Sequence, residues 1–336
     1  MFTNYSDEAA FALLAVRRAA ELCRVIQGEM VTPAISKSDH SPVTVADYAS
    51  QAVVAKLLVE HYPHDALVAE EDSQVLRDAG RANTLSAVTG YVRRVFKGIS
   101  TDQVCRWIDH GAGGPGDRFW TCDPIDGTKG FLRGDQYVVA LALIANGEVV
   151  VAALGCPNLS AGMKADVNGS GSAVIAVRGE GAWSMPLHDG SPNRLHVSSV
   201  GTPHEARVLR SFESGHTDSA KIASLLETLG IKADPVLMDS QAKYALLAAG
   251  SGELLFRLLS PARPDYREKI WDQAAGSLIV EEAGGRVTDL RGKALDFTQG
   301  RQLEGNFGVL ASNGYLHQAA LDAIRSAGAD QRPEPA

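Results

Sequence analysis

The longest apolar stretch of the chain constrains its fold more than any other feature. It runs from Val138 to Leu154 and is broken by Asn146-Gly147-Glu148. Each half is much shorter than the ~20 residues that a membrane-spanning helix needs. Asn-Gly between two apolar runs is instead a strong signal for a tight hairpin turn. We therefore predict two antiparallel strands, over 137–145 and 149–154, and no membrane partner.

The residues before this hairpin predict helices and a short strand. Apolar positions at helical spacing predict helices over about 7–27 and 45–61. A short apolar strand is expected over 66–69, and residues 74–100 have a polar, helical pattern. Residues 109–118 are rich in Gly and predict a loop.

The residues after the hairpin alternate between short apolar runs and helical patterns, which indicates an α/β domain. A boundary near Cys156 would give two domains, over 1–156 and 157–327. The polar, Pro-containing tail over 328–336 is expected to be disordered. The helices of the second half are expected over about 219–229, 241–249 and 271–283 and after Gly314.

The charge balance of the chain disfavours nucleic acid as a partner. The 336 residues contain 32 Lys and Arg against 40 Asp and Glu, a formal net charge of −8. This acidity argues against a general basic surface that grips nucleic acid. No basic region precedes the first apolar stretch, so we expect no export signal and a cytoplasmic protein. The 4 cysteines are widely separated and are expected to be reduced thiols.

The segment Asp123-Pro-Ile-Asp-Gly-Thr128 carries the most chemical information. Its two carboxylates flank a turn fixed by Pro and can converge on one cation, together with the Ile125 carbonyl. Oxygen ligands of this kind suit Mg²⁺. A helix that begins at Gly127-Thr128 would present backbone N–H groups to a phosphate. The structural alternative is a polar turn with an aspartate at a helix cap.

Three further acids lie at strand ends or helix starts, where site residues gather in layered folds. Glu70 ends an apolar strand, Asp47 lies early in a helix, and Asp272 lies at the start of a helix rich in Gly and Ala. Each also has a structural interpretation, as a solvated loop acid, a first-turn acid or an N-cap. A covalent aspartyl phosphate is disfavoured, because haloacid-dehalogenase-type phosphatases space their two acids differently.

Segments spread over about residues 7–315 match one known family. They are SPVTVADYASQ at 41–51, AEEDS at 69–73, WTCDPIDGTKGFLRGDQYVVALALI at 120–144, DSQAKY at 239–244 and YREKIWDQAAGSLIVEEAGGRVTDL at 266–290. The first part of the long motif resembles the signature of the lithium-sensitive, inositol monophosphatase-like phosphatases. Its extension after Thr128, together with DSQAKY, resembles the 3'(2'),5'-bisphosphate nucleotidase branch of that superfamily.

The resemblance implies a layered sandwich of an N-terminal α+β and a C-terminal α/β domain, with the active site between them. Asp47 and Thr128 match the pair that orients and deprotonates the attacking water. Two or three Mg²⁺ ions and inhibition by Li⁺ are implied as well. The metal ligands that the resemblance implies are Glu70, Asp123, the Ile125 carbonyl, Asp126 and Asp272.

The implied reaction removes the 3'-phosphate of 3'-phosphoadenosine 5'-phosphate (PAP) to give AMP, and that of its sulfated parent PAPS to give APS. No covalent intermediate is required. Alternatives are an inositol polyphosphate 1-phosphatase, an inositol monophosphatase or a non-catalytic nucleotide or metal sensor. A monomer is expected. The implied substrate contacts are Thr128, His216, Ser240, Lys243, Arg257 and Asp272.

The chain departs from the family pattern in a few places. Gln273 stands where the family usually has His, Ala49 replaces a common Gly, and residues 74–118 match loosely. Because position 273 is not a metal ligand in the family, we expect Gln273 to change only the side chains that surround the metal ligands. The activity is expected to be retained.

Overall fold

Two sheets organise the part of the chain that the structure covers, one of seven strands and one of five. No helix in this part is both long and apolar enough to cross a membrane. The computed structural model describes residues 2–29, 35–36, 42–43, 45–167, 169–212 and 219–332.

The seven-stranded sheet contains the predicted hairpin. Asn146 and Gly147 have φ angles of 51° and 81°, as a tight hairpin turn between two right-twisted strands requires. The antiparallel pair β1 (Ile35–Ser36) and β2 (Pro42–Val43) stands apart from this sheet. The strands of the sheet are β3 (Ala66–Ala69), β4 (Arg118–Asp126), β5 (Val138–Ala145), β6 (Glu148–Cys156), β7 (Ser172–Val177), β8 (Gly181–Pro186) and β9 (Asn193–Arg194).

These strands are neighbours in chain order, from β3 to β9. The β3 and β4 strands run parallel, and the later neighbours pair antiparallel. The sheet therefore continues through Arg194, beyond the domain boundary expected near Cys156. The division into two domains stays a prediction.

The second sheet has the order β11-β10-β12-β14-β13. The β10 strand pairs parallel with both β11 and β12, whereas β14 is antiparallel to β12 and β13. The strands are β10 (Val208–Arg210), β11 (Val236–Leu237), β12 (Leu254–Arg257), β13 (Arg286–Thr288) and β14 (Val309–Ser312).

Most predicted helices are confirmed within a few residues. The region expected to be helical over 74–100 instead contains two short 3₁₀ turns and α3 (Ala82–Val95), and a separate helix, α4 (Thr101–Asp109), follows. The Ser100 hydroxyl and the Gln103 side chain form a reciprocal capping box that starts α4. The helices are α1 (Ser6–Glu29), α2 (Val45–His61), α3 (Ala82–Val95), α4 (Thr101–Asp109), α5 (Thr128–Arg133), α6 (Ser219–Thr228), α7 (Ala242–Ala248), α8 (Ala274–Glu282) and α9 (His317–Ser326).

The helices and sheets stack in alternating layers, which confirms the layered sandwich. Successive residues of β5 are buried on opposite faces of the first sheet, with Leu141 packed in the core of α1 and α2 and Ala142 in that of α7 and α8. The second sheet also packs against α7 and α8, through Leu255, and covers α6 and α9 with its other face, through Leu254. In the expected tail, Ala329 is 3% exposed and packs in the core of α6 and α9.

Candidate active site

The parallel strands β3 and β4 place two acids at the same edge of the first sheet. Ala69 and Cys122 are partners in the register, and Glu70 and Asp123 follow them directly. Both acids line a cavity of about 500 Å³. The carboxyl ends of two neighbouring parallel strands thus bring together acids that are far apart in the sequence.

The segment Asp123-Pro-Ile-Asp-Gly-Thr128, the aspartate motif, begins within β4, and the strand is irregular there. Its register with β5 shifts between Asp123 and Asp126, and Pro124 has no N–H to donate to a ladder. The Asp123 carboxylate accepts a hydrogen bond from the Ile125 N–H at 3.1 Å. The Pro124 carbonyl accepts one from the buried Ser50 hydroxyl at 2.8 Å. These bonds hold the irregular end of β4 so that Asp123 and Asp126 line the same cavity, and the chain turns at Gly127.

Thr128 begins α5, directly after Gly127, and lines the cavity. Gly127 has a φ of 91°, and a Cβ atom there would lie 3.0 Å from the Ser240 Cβ. Glycine is therefore required for this turn. The Thr128 hydroxyl donates a hydrogen bond to the Ile125 carbonyl at 3.2 Å, so the predicted water-orienting hydroxyl and the predicted carbonyl ligand are in contact.

The acids of the cavity wall act on one another. Burial, followed by the charges of Glu70, Asp126, Asp272 and Asp47, raises the pKa of Asp123 well above its ordinary value. Burial also raises the pKa of Asp126, although Lys243 opposes the rise. For Asp272, burial raises the pKa well above its ordinary value against the opposing charge of Arg257. Holding several ionised carboxylates together in this cavity therefore has a free-energy cost.

This donor set fits a hard divalent cation. Carboxylate and carbonyl oxygens are the ligands that Mg²⁺ and Ca²⁺ take in proteins, and a bound cation would remove the repulsion between the acids. The described side chains include no three His, Cys, Asp or Glu that already converge on one point. The fit therefore rests on the burial and the donor chemistry of the acids.

Two cationic side chains lie among these acids, Lys243, which is buried, and Arg257, which is partly buried. Burial lowers the pKa of Lys243 to about 8, although Asp126 opposes the fall. Arg257 forms an ion pair with Glu268 at 2.7 Å and lies 3.9 Å from Asp272. Its Nε atom is buried and has no hydrogen-bond partner among the described residues. Such a donor is available to a water molecule or to an anionic ligand.

Gln273 supports the ion pair of Arg257 and Glu268 from behind. It is fully buried, accepts a hydrogen bond from the Tyr244 hydroxyl and donates one to Glu268 at 2.7 Å. The amide at this position therefore acts on Arg257 through Glu268. Gln273 is not among the residues that line the cavity, and the expected change behind the ligands with retained activity stays a prediction.

Ser240 has a φ of 64°, which is uncommon for a residue other than Gly. Its neighbours hold it in place, because the Gln241 N–H donates to Asp126 at 2.6 Å and the Ala242 N–H donates to the Ser240 hydroxyl at 3.2 Å. Ser240 lines the cavity. The DSQAKY segment is therefore tied directly to the aspartate motif of the first sheet.

The predicted site residues that the structure describes lie together at the cavity, and among them Asp47 lies deeper than the cavity wall. Asp47 lies behind the cavity wall, in the first turn of α2 and 1% exposed. His216 lies outside the described residues. The predicted residues that line the cavity are Glu70, Asp123, Ile125, Asp126, Thr128, Ser240, Lys243, Arg257 and Asp272.

Several lining residues were not anticipated as parts of the site. Some lie in the recognised motif around 266–272, so the motif could have indicated them. Arg301 lies outside every motif, and no sequence signal points to it. The additional lining residues include Lys129, Arg263, Tyr266, Lys269, Trp271 and Arg301.

Gln51 fixes the main chain next to Glu70. Its amide donates to the carbonyls of Glu71 at 2.7 Å and Ile108 at 2.8 Å and accepts from the Glu71 N–H at 2.9 Å. A Cβ atom on Gly111 would lie 2.4 Å from the Gln51 Nε2 and 2.9 Å from the Ala69 Cβ. The contact with Gly111 therefore leaves no room for a side chain at that position.

Replacing Gly111 by Ala is expected to destabilise the protein by about 2 kcal/mol, because the new methyl group overpacks the Gln51 amide. Urea unfolding measures the change. Gly114→Ala is the matched control, since a Cβ atom there meets nothing within 4 Å. Equal stabilities for the two variants would show that the contact between Gly111 and Gln51 is not tight.

Comparisons with known proteins agree on one family. A model described as the inositol monophosphatase family matches residues 4–329. A 3'(2'),5'-bisphosphate nucleotidase of Oryza sativa is 42% identical over 342 residues, which cover 96% of this chain and 95% of the relative. One from Schizosaccharomyces pombe is 39% identical and covers 95% of both chains.

A solved structure has the same fold. An IMPase of Thermotoga maritima matches with a TM-score of 0.66 at 21% identity, over 96% of this chain and 98% of that one. At this identity the likeness concerns the fold alone.

Proposed function

The chain belongs to the inositol monophosphatase family, with relatives among its 3'(2'),5'-bisphosphate nucleotidases, and from this membership we propose that it is a Mg²⁺-dependent nucleotide phosphatase. The proposed reaction cleaves the bond between the 3'-oxygen and the phosphorus of PAP, giving AMP and phosphate. PAPS, which carries the same 3'-phosphate, is proposed as a second substrate that yields APS.

The observation that supports this proposal most is the mixture of charges in one cavity. Acids suited to a divalent cation share the wall with Lys243 and Arg257, and the buried Arg257 Nε has no hydrogen-bond partner in the described part of the chain. A nucleotide bisphosphate needs both kinds of group. One phosphate is transferred beside the cations, and the other is held by basic side chains.

The proposed cation ligands are Glu70, Asp123, Asp126, Asp272 and the Ile125 carbonyl. When bound, divalent cations supply positive charge that stabilises a phosphoryl group under attack and lowers the pKa of water. The chain itself supplies the acceptor for the proton. We assign that role to Asp47, with the Thr128 Oγ1 orienting the attacking water.

A substrate panel tests the proposal. We expect kcat/KM for PAP to exceed that for inositol 1,4-bisphosphate and inositol 1-phosphate by about 100-fold, with activity lost in EDTA and inhibited by Li⁺. The preference follows from the value of a few charge-assisted hydrogen bonds to the second phosphate. A preference for either inositol phosphate would favour the alternative enzymes, and intact PAP in the presence of Mg²⁺ would refute the proposal.

The pH dependence of PAP binding should follow Lys243. Its lowered pKa of about 8 means that the free enzyme loses this ammonium as the pH rises through that value. We therefore expect kcat/KM for PAP to fall above pH 8, by about tenfold per pH unit at most.

Lys243→Arg should flatten this fall, because a guanidinium stays protonated throughout the range. The exposed Lys232 supplies the matched control, Lys232→Arg, which should keep the wild-type profile. An unchanged profile in Lys243→Arg would assign the titration to another group.

A further inference from the structure

Arg301 connects the two sheets beside the cavity. It lies between β13 and β14 of the second sheet, yet its guanidinium donates hydrogen bonds to two carbonyls next to the first sheet. One belongs to Ala69, the last residue of β3, and the other to Gly111 at 3.2 Å. The Ala69 N–H also donates to the Gly111 carbonyl at 2.8 Å. Arg301 thus joins a strand end and a loop that already contact each other.

The same guanidinium also contacts the segment that carries Asp272. It lies 4.8 Å from the centre of the Trp271 ring, in the position of a cation–π contact. The Arg301 carbonyl accepts a hydrogen bond from the Ile270 N–H at 3.2 Å. Trp271 is itself 6% exposed, so its ring is a fixed surface against which the guanidinium packs.

Two of the residues that Arg301 contacts directly precede acids of the cavity in the sequence. Glu70 follows Ala69, and Asp272 follows Trp271. Glu70 directly follows β3 of the first sheet, and Asp272 lies in the segment before α8. We infer that Arg301 is a positioning residue that sets the separation of Glu70 and Asp272 and thereby the affinity of the site for a divalent cation. This inference rests on the cation of the proposed function.

A role through position can be separated from a role through charge. If only the positive charge mattered, lysine would replace Arg301 without effect, and a neutral residue would tighten cation binding by removing repulsion. If position matters, both replacements weaken binding. Lysine lacks the planar guanidinium that can donate hydrogen bonds to two carbonyls at once, and its ammonium stacks less well on an indole ring.

The test measures the dissociation constant of Mn²⁺ by the loss of its free EPR signal, without substrate, for wild type, Arg301→Lys and Arg301→Gln. Arg291→Lys is the matched control, because Arg291 also stacks on an aromatic ring, at 4.5 Å from Phe307, and donates to a main-chain carbonyl, that of Asp330. Circular dichroism and urea unfolding check that each variant is folded. If Arg301→Gln does not fold, Arg301→Lys alone decides.

We expect the Mn²⁺ dissociation constant to rise at least ~10-fold in both Arg301 variants, which is the usual effect of losing a group that orients metal ligands. Arg291→Lys should stay within twofold of wild type. If Arg301→Lys binds Mn²⁺ like wild type, the inference is wrong and the proposed function is untouched. If wild type itself binds no Mn²⁺, the cation of the proposed function is wrong.

Discussion

Replacing Asp47 by Asn should lower kcat for PAP by about 100-fold or more, with little change in the affinity for PAP. Asn has nearly the same shape, so the packing in the first turn of α2 is kept, but it cannot accept a proton from the attacking water. Asp47 is buried behind the cavity wall, where it would act on the water and not on the substrate. Rapid-quench kinetics at saturating PAP measure the chemical step directly.

The same helix offers the control for this variant. Glu60 lies at the other end of α2, half-exposed beside Lys56, and Glu60→Gln makes the same change from acid to amide. It should keep the wild-type kcat. A wild-type kcat in Asp47→Asn would remove Asp47 from its proposed role, and a loss in both variants would indicate a general effect on the helix.

Replacing Arg257 by Met should cost both stability and activity. Glu268 is 7% exposed and would be left buried without its ion-pair partner, which usually costs about 3–5 kcal/mol. The loss of charge-assisted hydrogen bonds to the substrate should lower kcat/KM for PAP by about 100-fold. Urea unfolding and initial rates measure the two effects separately.

The double variant Arg257→Met with Glu268→Gln separates the structural effect from the functional one. Removing the buried charge of Glu268 should restore most of the stability, whereas activity should stay low because Arg257 is still absent. Restored activity would mean that Arg257 only supports the fold.

The pair of Arg207 with the fully buried Glu253, at 2.6 Å, provides the matched control. Arg207→Met should be destabilised in a similar way, because it also leaves a buried carboxylate without its partner. Its kcat/KM for PAP should be unchanged, since neither residue lines the cavity.

Local signals predicted much of this structure. Asn146-Gly147 predicted the central hairpin because its turn requires two residues with positive φ, and the observed angles agree. The periodicity over 45–61 predicted α2 to the residue. The aspartate motif predicted a turn between a strand and a helix. In the structure β4 continues to Asp126 with a shift in register, and the turn lies at Gly127, directly before α5. These features depend on residues that are neighbours in the chain.

Contacts between distant residues could not be predicted in the same way. Arg301 and Ala69 are 232 residues apart, and neither residue type signals the other. Gln273 departs from the family pattern in sequence, but its bonds to Tyr244 and Glu268 depend on how α7 and α8 pack. The helical region predicted over 74–100 ends earlier, at Val95, and Gly98 follows it with a positive φ. No helix was predicted over α4, which begins at the capping box of Ser100.

The central claim is that water attacks the 3'-phosphate of PAP in a reaction that requires a divalent cation. Mass spectrometry of the products formed in ¹⁸O-labelled water tests it most directly, with Mg²⁺ and with EDTA. The account predicts unlabelled AMP and phosphate that carries one ¹⁸O atom in Mg²⁺, and intact PAP in EDTA. Adenosine 3'-phosphate as the product, label in AMP, or equal turnover in EDTA would contradict the account.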